Sequence, residues 1–263
     1  MKIATFNVNS INARMENLAG WLDSEAPDVV LLQEIKSDYA AFPFFDLQTL
    51  GYNAKILGQK SYNGVAVLSR YKIEIAHENL PNFKDENSRY LEAVIHVKDE
   101  KIRVASAYFP NGNPPYNNPD DNSKFDYKLK WMEAMYAHAK DLLSLNEPVI
   151  LGGDFNVIIT NSDVYDPEMF KNNALMREEV RQRLKAIEYL GFYDAFRTLH
   201  PKDVGYTFWD YSGNAFNADL GMRIDYILLS PILADRLSKC YVDKNPRGKV
   251  KPSDHTPLIA ELK

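Results

Sequence analysis

Eight short apolar runs recur along this chain, and they narrow its fold more than any other feature. They are KIATFNV (2–8), DVVLLQE (28–34), GVAVLS (64–69), LEAVIHV (91–97), KIRVASAYF (101–109), PVILGGDF (148–155), RIDYILLS (223–230) and TPLIAEL (256–262). Runs of this length and make-up read as β-strands. LEAVIHV and KIRVASAYF are parted only by Lys98 to Glu100, a spacing that predicts an antiparallel hairpin. Helical patterns fall between the runs. In 13–25, Met15, Leu18 and Leu22 share one face, and Asn12 stands where it would cap the start. Segment 123–145 is long and rich in helix formers. Segment 175–190 carries Leu184, Ile187 and Leu190 on one stripe, with Gly191 as the stop. Hairpins mixed with helices imply α/β or α+β layers in one domain spanning 1–263. The longest breaker-rich stretch, PNGNPPYNNPDDN (110–122), reads as a functional loop.

Polar residues interrupt these runs where they are costly. Asp and Asn are poor strand residues, and a charge near a sheet core needs a partner or a metal. Yet Asn7, Glu34, Asp154, Asn156 and Asp225 all lie in or just after apolar strands. Asn7 suits a turn as well as a site, and Glu34 suits the first solvated position after a strand. In GGDFN, Asp154 and Asn156 project the same way from an extended chain. Gly152 and Gly153 leave room there for another backbone or a ligand. Asp225 sits inside its run and needs a partner, either Arg223 on the same strand face or a histidine whose tautomer it would fix. PSDHTP sets Asp254 beside His255 between Pro252 and Pro257, as a surface turn or as a stiffened, aimed pair. His77, His96, His138 and His200 lack a comparable acidic neighbour and read as structural or surface residues.

Composition excludes several classes. The single cysteine, Cys240, rules out an internal disulfide and a Cys-type zinc cluster, and it reads as a packed thiol. With no signal-like apolar start and no run near the ~18 apolar residues that span a bilayer, a soluble cytoplasmic protein is expected. A net charge of −5 supplies no global field for nucleic acid but suits carboxylates gathered around a divalent cation. Hard oxygen donors without cysteine favour Mg²⁺, Mn²⁺ or Ca²⁺ over zinc. Phosphate ester hydrolysis is the chemistry such a set serves.

Eight segments occur in one family's order: FNVNSINAR, PDVVLLQEIK, SYNGVAVLS, AYFPNG, GGDFNV, YTFWDY, GMRIDYILLS and KPSDHTP. Through essentially its whole length the chain resembles the exonuclease III family of apurinic/apyrimidinic endonucleases, within the endonuclease/exonuclease/phosphatase superfamily. GDxN and SDHxP mark the superfamily broadly; LQEIK, AYFPNG, TFWDY and GMRIDYILLS together mark the branch. The resemblance implies a four-layer α-β-β-α sandwich, two mixed sheets flanked by helices, with the active site where strand ends meet. It implies a metal region of Asn7, Glu34, Asp154, Asn156, Asp254 and His255, with Glu34 as principal ligand to Mg²⁺ (Mn²⁺ as substitute). By the same resemblance Asp154 activates water, Asn156 orients the site, Tyr108 contacts the phosphate, and Asp225 pairs with His255, which stabilises phosphate charge.

Lys36, Arg89, Asn111, Phe208, Trp209 and Arg223 are the implied DNA contacts, with Lys124 and Lys128 as further candidates. Phe208 and Trp209 would wall a small dry pocket that admits a base-free sugar and rejects a normal nucleotide by size. Asn111 stands where bacterial relatives commonly carry Gln, and Met222 where some carry Trp. The implied activity is a monomeric Mg²⁺-dependent DNA-repair phosphodiesterase cutting duplex DNA 5′ of abasic sites. Exonuclease trimming and removal of 3′-blocking groups accompany it. Its rivals are a lipid or inositol phosphate phosphatase and a non-catalytic DNA-damage binding protein.

Overall fold

The computed structural model describes residues 1–263, and the apolar runs become the inner strands of two six-stranded sheets. In chain order the first strands are β1 (Lys2–Asn7), β2 (Val29–Gln33), β3 (Asn53–Leu57), β4 (Val65–Ser69), β5 (Lys72–Glu78) and β6 (Tyr90–Val97). They continue as β7 (Glu100–Tyr108), β8 (Val149–Asp154), β9 (Tyr193–Asp194), β10 (Asp225–Leu229), β11 (Leu237–Val242) and β12 (Leu258–Leu262). The helices are α1 (Met15–Glu25), α2 (Phe44–Thr49), α3 (Ser123–Ser144), α4 (Pro167–Phe170), α5 (Glu178–Tyr189), α6 (Ala195–Leu199) and α7 (Pro231–Ala234). One sheet runs β11-β12-β1-β2-β4-β3 and the other β5-β6-β7-β8-β10-β9. Each holds one parallel pair, β1 with β2 and β7 with β8, among antiparallel neighbours.

Period-two alternation decides the layers. Val29 and Leu31 of β2 point between the sheets, where they meet Val104, Ile150 and Ile227 of the second sheet. Val30 and Leu32 point the other way, against Leu18, Trp21 and Leu22 of α1. On the far side Trp131 and Met135 of α3, with Leu184 and Ile187 of α5, cover Ala105, Leu151 and Tyr226. The result is helix, sheet, sheet, helix, the α/β sandwich the resemblance implies. Strands buried on both faces need apolar residues at every position, so they read as unbroken runs. Each buried Val or Leu contributes about 1.5–3 kcal/mol relative to exposure.

The sequence reading misses β3, β5, β9 and β11, and these are the four edge strands. Each is partly exposed, so polar residues dilute its pattern, as in KIEIAHE of β5. The hairpin prediction holds, with Val97 facing Glu100 across β6 and β7. Two helix starts differ from expectation. Asn12 caps nothing, because residues 12–14 form a 3₁₀ turn of their own before α1. The third helix begins at Glu178 rather than 175, because Asn173 Oδ1 accepts from Leu175 N and turns that segment aside. Gly153 is required by a close backbone approach, since a Cβ there would lie 1.8 Å from the Ala107 carbonyl oxygen.

Glu188 on α5 faces Asp194 and Asp163 as well as the cations Arg223 and Lys185. Burial, reinforced by the two aspartates, pushes its carboxyl up to about 7. The unfolded chain ionises this group near its usual value, so stability falls as pH rises from about 4.5 to 7. Glu188→Gln should therefore raise Tm by a few degrees at pH 8 and leave it nearly unchanged at pH 4. Thermal unfolding followed by circular dichroism checks this; a lower Tm at pH 8 would show the carboxylate to be a net stabiliser.

Candidate active site

Three neighbouring strand ends of the second sheet place three side chains in a row. Register pairs Tyr108 with Asp154 across β7 and β8, and Asp154 with Asp225 across β8 and β10. In the first sheet Asn7 ends β1 opposite Gln33 of β2, so Glu34 leaves the sheet beside it. The two sheets meet at Asn7. Its Nδ2 donates to Glu34 Oε1 and to Asp154 Oδ2, each at 2.9 Å. Tyr108 Oη donates to the same Glu34 oxygen at 2.9 Å.

His255 arrives on the segment before β12. Its Nδ1 donates to Asp225 Oδ2 at 2.8 Å, and its Nε2 lies 3.6 Å from Asp154 Oδ2. PSDHTP is no loose turn. Ser253 Oγ donates to the Asn7 carbonyl, His255 N donates to Ser253 Oγ, and Tyr211 Oη donates to the Pro252 carbonyl. Trp209 N and Thr256 N tie the segment to YTFWDY by backbone bonds. Asp225 pairs with the histidine rather than with Arg223. Thr207 Oγ1 adds a 2.6 Å bond to the Asp225 oxygen that His255 uses, while Asp225 Oδ1 is buried without a partner.

Backbone strain gathers at the same place. Glu34 and Asn156 adopt φ of 48° and 49°, a left-handed conformation that costs an ordinary residue roughly 1–2 kcal/mol. Asn156 is held on every side. Its N donates to Asp154 Oδ1, its Nδ2 to the Phe109 carbonyl, and its Oδ1 accepts from Asn111 Nδ2 at 3.3 Å.

Electrostatics set the protonation states. Burial opposes a charged imidazole, but the carboxylates of Asp225 and Asp154 outweigh it and push His255 up to about 10. Burial, with Asp225 and Glu34 nearby, pushes Asp154 up to about 7 against the pull of His255 and Asn7. Burial also opposes the charge on Glu34, yet the Asn7 amide and the Lys36 ammonium hold its carboxyl below the usual range. Burial and the charges of Glu34 and Asp154 push the Tyr108 phenol well above its usual value, so it remains a donor.

These groups open onto a cavity of about 510 Å³. Glu34, Tyr108, Asp154, Asn156, Asp254 and His255 line its polar end. Tyr165, Met169, Phe170, Phe208, Leu220 and Met222 form an apolar wall. The volume lies within the roughly 300–1,000 Å³ of sites that enclose drug-sized ligands.

Other expectations need correction. Arg223 is fully buried and pairs with Asp163 at 2.7 Å and Asp194 at 2.6 Å, so it cannot meet a DNA phosphate. Trp209 is also fully buried, its indole donating to Asp219 Oδ1, and only Phe208 reaches the cavity, edge-on to His255 at 5.0 Å. Successive residues of an extended segment face opposite ways, so the two aromatics cannot share a wall. Lys128 lies fully buried beneath the site rather than on its rim. Lys36 is engaged by Glu34 Oε2 at 2.8 Å and by Asn9 Oδ1 at 2.7 Å. Arg89 stacks over Tyr108 at 4.7 Å and, with Lys124, lines a cleft that also touches Asn111.

Three of the remaining histidines do find carboxylates. His138 is buried 2.6 Å from Glu92, His96 lies 3.1 Å from Glu74, and His200 lies 3.0 Å from Asp203. None of them lines the cavity. Cys240 is buried, as expected of a packed thiol.

Metal-binding capacity resides in oxygens. Asp154, Asp225 and His255 offer ligand atoms within 4.8 Å of one another, but His255 Nδ1 is committed to Asp225. Asn7 turns its nitrogen toward the two carboxylates and so orders them. Glu34, Asp154 and Asp254, whose carboxylate accepts from Asn9, also line the cavity and offer the oxygen donors a hard divalent cation takes. The Lys36 ammonium supplies positive charge to Glu34 at that point.

Several site residues escaped the sequence reading. Thr207 stood in the quoted YTFWDY, and Asn9 in FNVNS. Tyr165, Met169 and Phe170 carried only the weak signal of aromatic and apolar residues in a breaker-rich stretch. Nitrogen NMR of His255 should find the ring cationic at pH 8 in wild type. In Asp225→Asn, which removes the largest carboxylate contribution and leaves Asp154, the ring should lose its proton at a clearly lower pH than in wild type. A wild-type ring titrating near 6.5 would contradict this ion pair.

Comparison with known proteins locates the chain. The model of the Endonuclease/Exonuclease/phosphatase family matches residues 4–255. A 3′ phosphatase from Neisseria, solved with a product DNA hairpin, superposes with a TM-score of 0.94 at 36% identity, covering 100% of this chain and 99% of that one. An AP endonuclease from Archaeoglobus fulgidus gives 0.92 at 36% identity, with the same coverage. Exodeoxyribonuclease III of Haemophilus influenzae is 29% identical over the full length of both chains.

Proposed function

The chain belongs to the endonuclease/exonuclease/phosphatase family, and from that premise we propose a DNA-repair phosphodiesterase that depends on a divalent cation, Mg²⁺ with Mn²⁺ as substitute. It cuts duplex DNA 5′ of abasic sites, leaving a 3′-hydroxyl, and trims nucleotides or blocking groups from 3′ ends. The 3′ phosphatase, AP endonuclease and exodeoxyribonuclease III relatives support this substrate class. Residues 1–263 act as one domain and as a monomer. No helix is long and apolar enough to cross a membrane, and the protein acts in the cytoplasm.

One observation carries the reading: the buried Asp154 carboxylate lies 3.6 Å from Nε2 of an imidazole whose Nδ1 a second buried carboxylate, Asp225, holds at 2.8 Å. A base with a pKa near the working pH combines a useful ionised fraction with driving force for proton transfer. Asp154 is placed to take the proton of an attacking water. His255, its Nδ1 fixed by Asp225 and Thr207, presents Nε2–H and positive charge to a phosphate oxygen. Tyr108 offers a hydroxyl from the neighbouring strand, and Asn156, whose backbone N–H donates to Asp154, lines the cavity beside it. Glu34, Asp154 and Asp254 would hold the cation, which supplies charge neutralisation at the phosphate. The apolar wall from Tyr165 to Met222 receives the sugar and excludes water.

Duplex DNA bearing one abasic-site analogue tests the proposal. Wild type with Mg²⁺ should nick the strand 5′ of the lesion, and EDTA should abolish the cut. Asp154→Asn and His255→Ala should each slow it by about 10²–10⁴-fold. An intact strand in wild type with Mg²⁺ would remove the proposal. Tight binding in EDTA without turnover would favour a damage-binding protein, and preferential release of phosphate from inositol phosphates would favour the phosphatase rival.

A further inference from the structure

Lys128 in α3 is fully buried and pairs with no carboxylate. Its Nζ donates to two backbone carbonyls, that of Asn111 at 3.0 Å and that of Asn156 at 2.6 Å. These carbonyls belong to different segments. Asn111 lies on the loop after β7, and Asn156 on the turn after β8. Both residues line the active-site cavity, and their side chains touch through Asn111 Nδ2 and Asn156 Oδ1.

The aliphatic stem of Lys128 matters as much as its head. Gly112 has φ of +83°, and a Cβ there would lie 2.7 Å from Lys128 Cδ. The loop therefore sits directly on the stem, at a position where other residues would be strained. Asn156 is left-handed, and its carbonyl is the group that Lys128 holds. A buried lysine without a counter-ion is costly. Burial draws its pKa down to about 7, with the Asp154 charge acting the other way. Two N–H donors on two carbonyls satisfy the head in place of a carboxylate.

We propose that Lys128 is a positioning residue that joins the Asn111 and Asn156 carbonyls from below, fixing both amides relative to Asp154. This inference rests on the phosphodiesterase reading above. Misplaced amides weaken interactions made in the transition state, so kcat suffers. The Lys128 ammonium is itself buried and reaches no ligand, so ground-state binding of the duplex, and with it KM, should change little.

Lys128→Met keeps the stem under Gly112 and removes both donors. On abasic duplex DNA with Mg²⁺ it should lower kcat at least 10-fold while KM stays within about 2-fold, a loss worth about 1.4 kcal/mol. Combining it with Asn111→Ala should cost no more than the worse single variant, because both act through one arrangement. A Lys128→Met enzyme with kcat within 2-fold of wild type would overturn the proposal, whatever its Tm, and so would full additivity with Asn111→Ala. Should Lys128→Met fail to fold, Lys128→Arg decides alone. It keeps donors but displaces them, so kcat should fall about 3-fold or more at unchanged KM, and a wild-type kcat overturns the proposal. If wild type itself leaves abasic DNA intact, the functional reading fails and this inference falls with it; wild-type cutting beside an unimpaired Lys128→Met sinks this inference alone.

Discussion

One amide group joins the two halves of this protein's chemistry. Asn7 ends a central strand of the first sheet, and its Nδ2 reaches both Glu34 beside it and Asp154 of the second sheet. Two carboxylates brought this close repel each other unless something lies between them. The shared donor relieves that repulsion, with Lys36 assisting on Glu34 and His255 on Asp154. The position of Asn7 depends in turn on its parallel pairing with β2 and on face-to-face packing of the sheets. The core therefore serves the site directly, because a sliding sheet would separate Glu34 from Asp154.

The second sheet adds a row that no other arrangement would supply as cheaply. Tyr108, Asp154 and Asp225 are register partners on three adjacent strands, β7, β8 and β10. Neighbouring strands lie about 4.8 Å apart, so their side chains fall within hydrogen-bonding reach of a common ligand. Gly152 and Gly153 permit the close packing that keeps this row level. The row alone would carry too much negative charge. His255 crosses from the first sheet's last connection to neutralise it, and the 252–257 segment is pinned to both sheets to hold it there.

The buried ion cluster around Arg223 has a related task. Arg223 bonds Asp163 and Asp194, and Arg197 also reaches Asp163. Asp163 immediately precedes Val164 and Tyr165, which bridge to Met222 and Gly221. The cluster thus fastens the segment that carries Tyr165 and Phe170 to the strand that carries Asp225. A residue expected on the DNA surface instead anchors the wall of the cavity. Burial made the difference, because a guanidinium taken out of water must be paired.

The sequence by itself determined the inner strands and the polar residues that end them. An apolar run buried on both faces is written plainly, and an Asn, Glu or Asp interrupting it has few inexpensive explanations. Glu34, Asp154 and Asp225 were legible for that reason, His255 through the proline-flanked Asp-His pair of PSDHTP, and the order of the motifs identified the rest of the framework. The edge strands were not, because a half-exposed strand mixes polar residues into its pattern. Only the tertiary structure decided direction and distance. It turned Trp209 away from the cavity and Phe208 into it, and withdrew Arg223 and Lys128 from solvent. Residue type reports what a side chain can do. Which way it points, and which charges face it, depend on contacts between segments far apart in the chain, as with Asn9 and Asp254, 245 residues apart, and no local pattern records them.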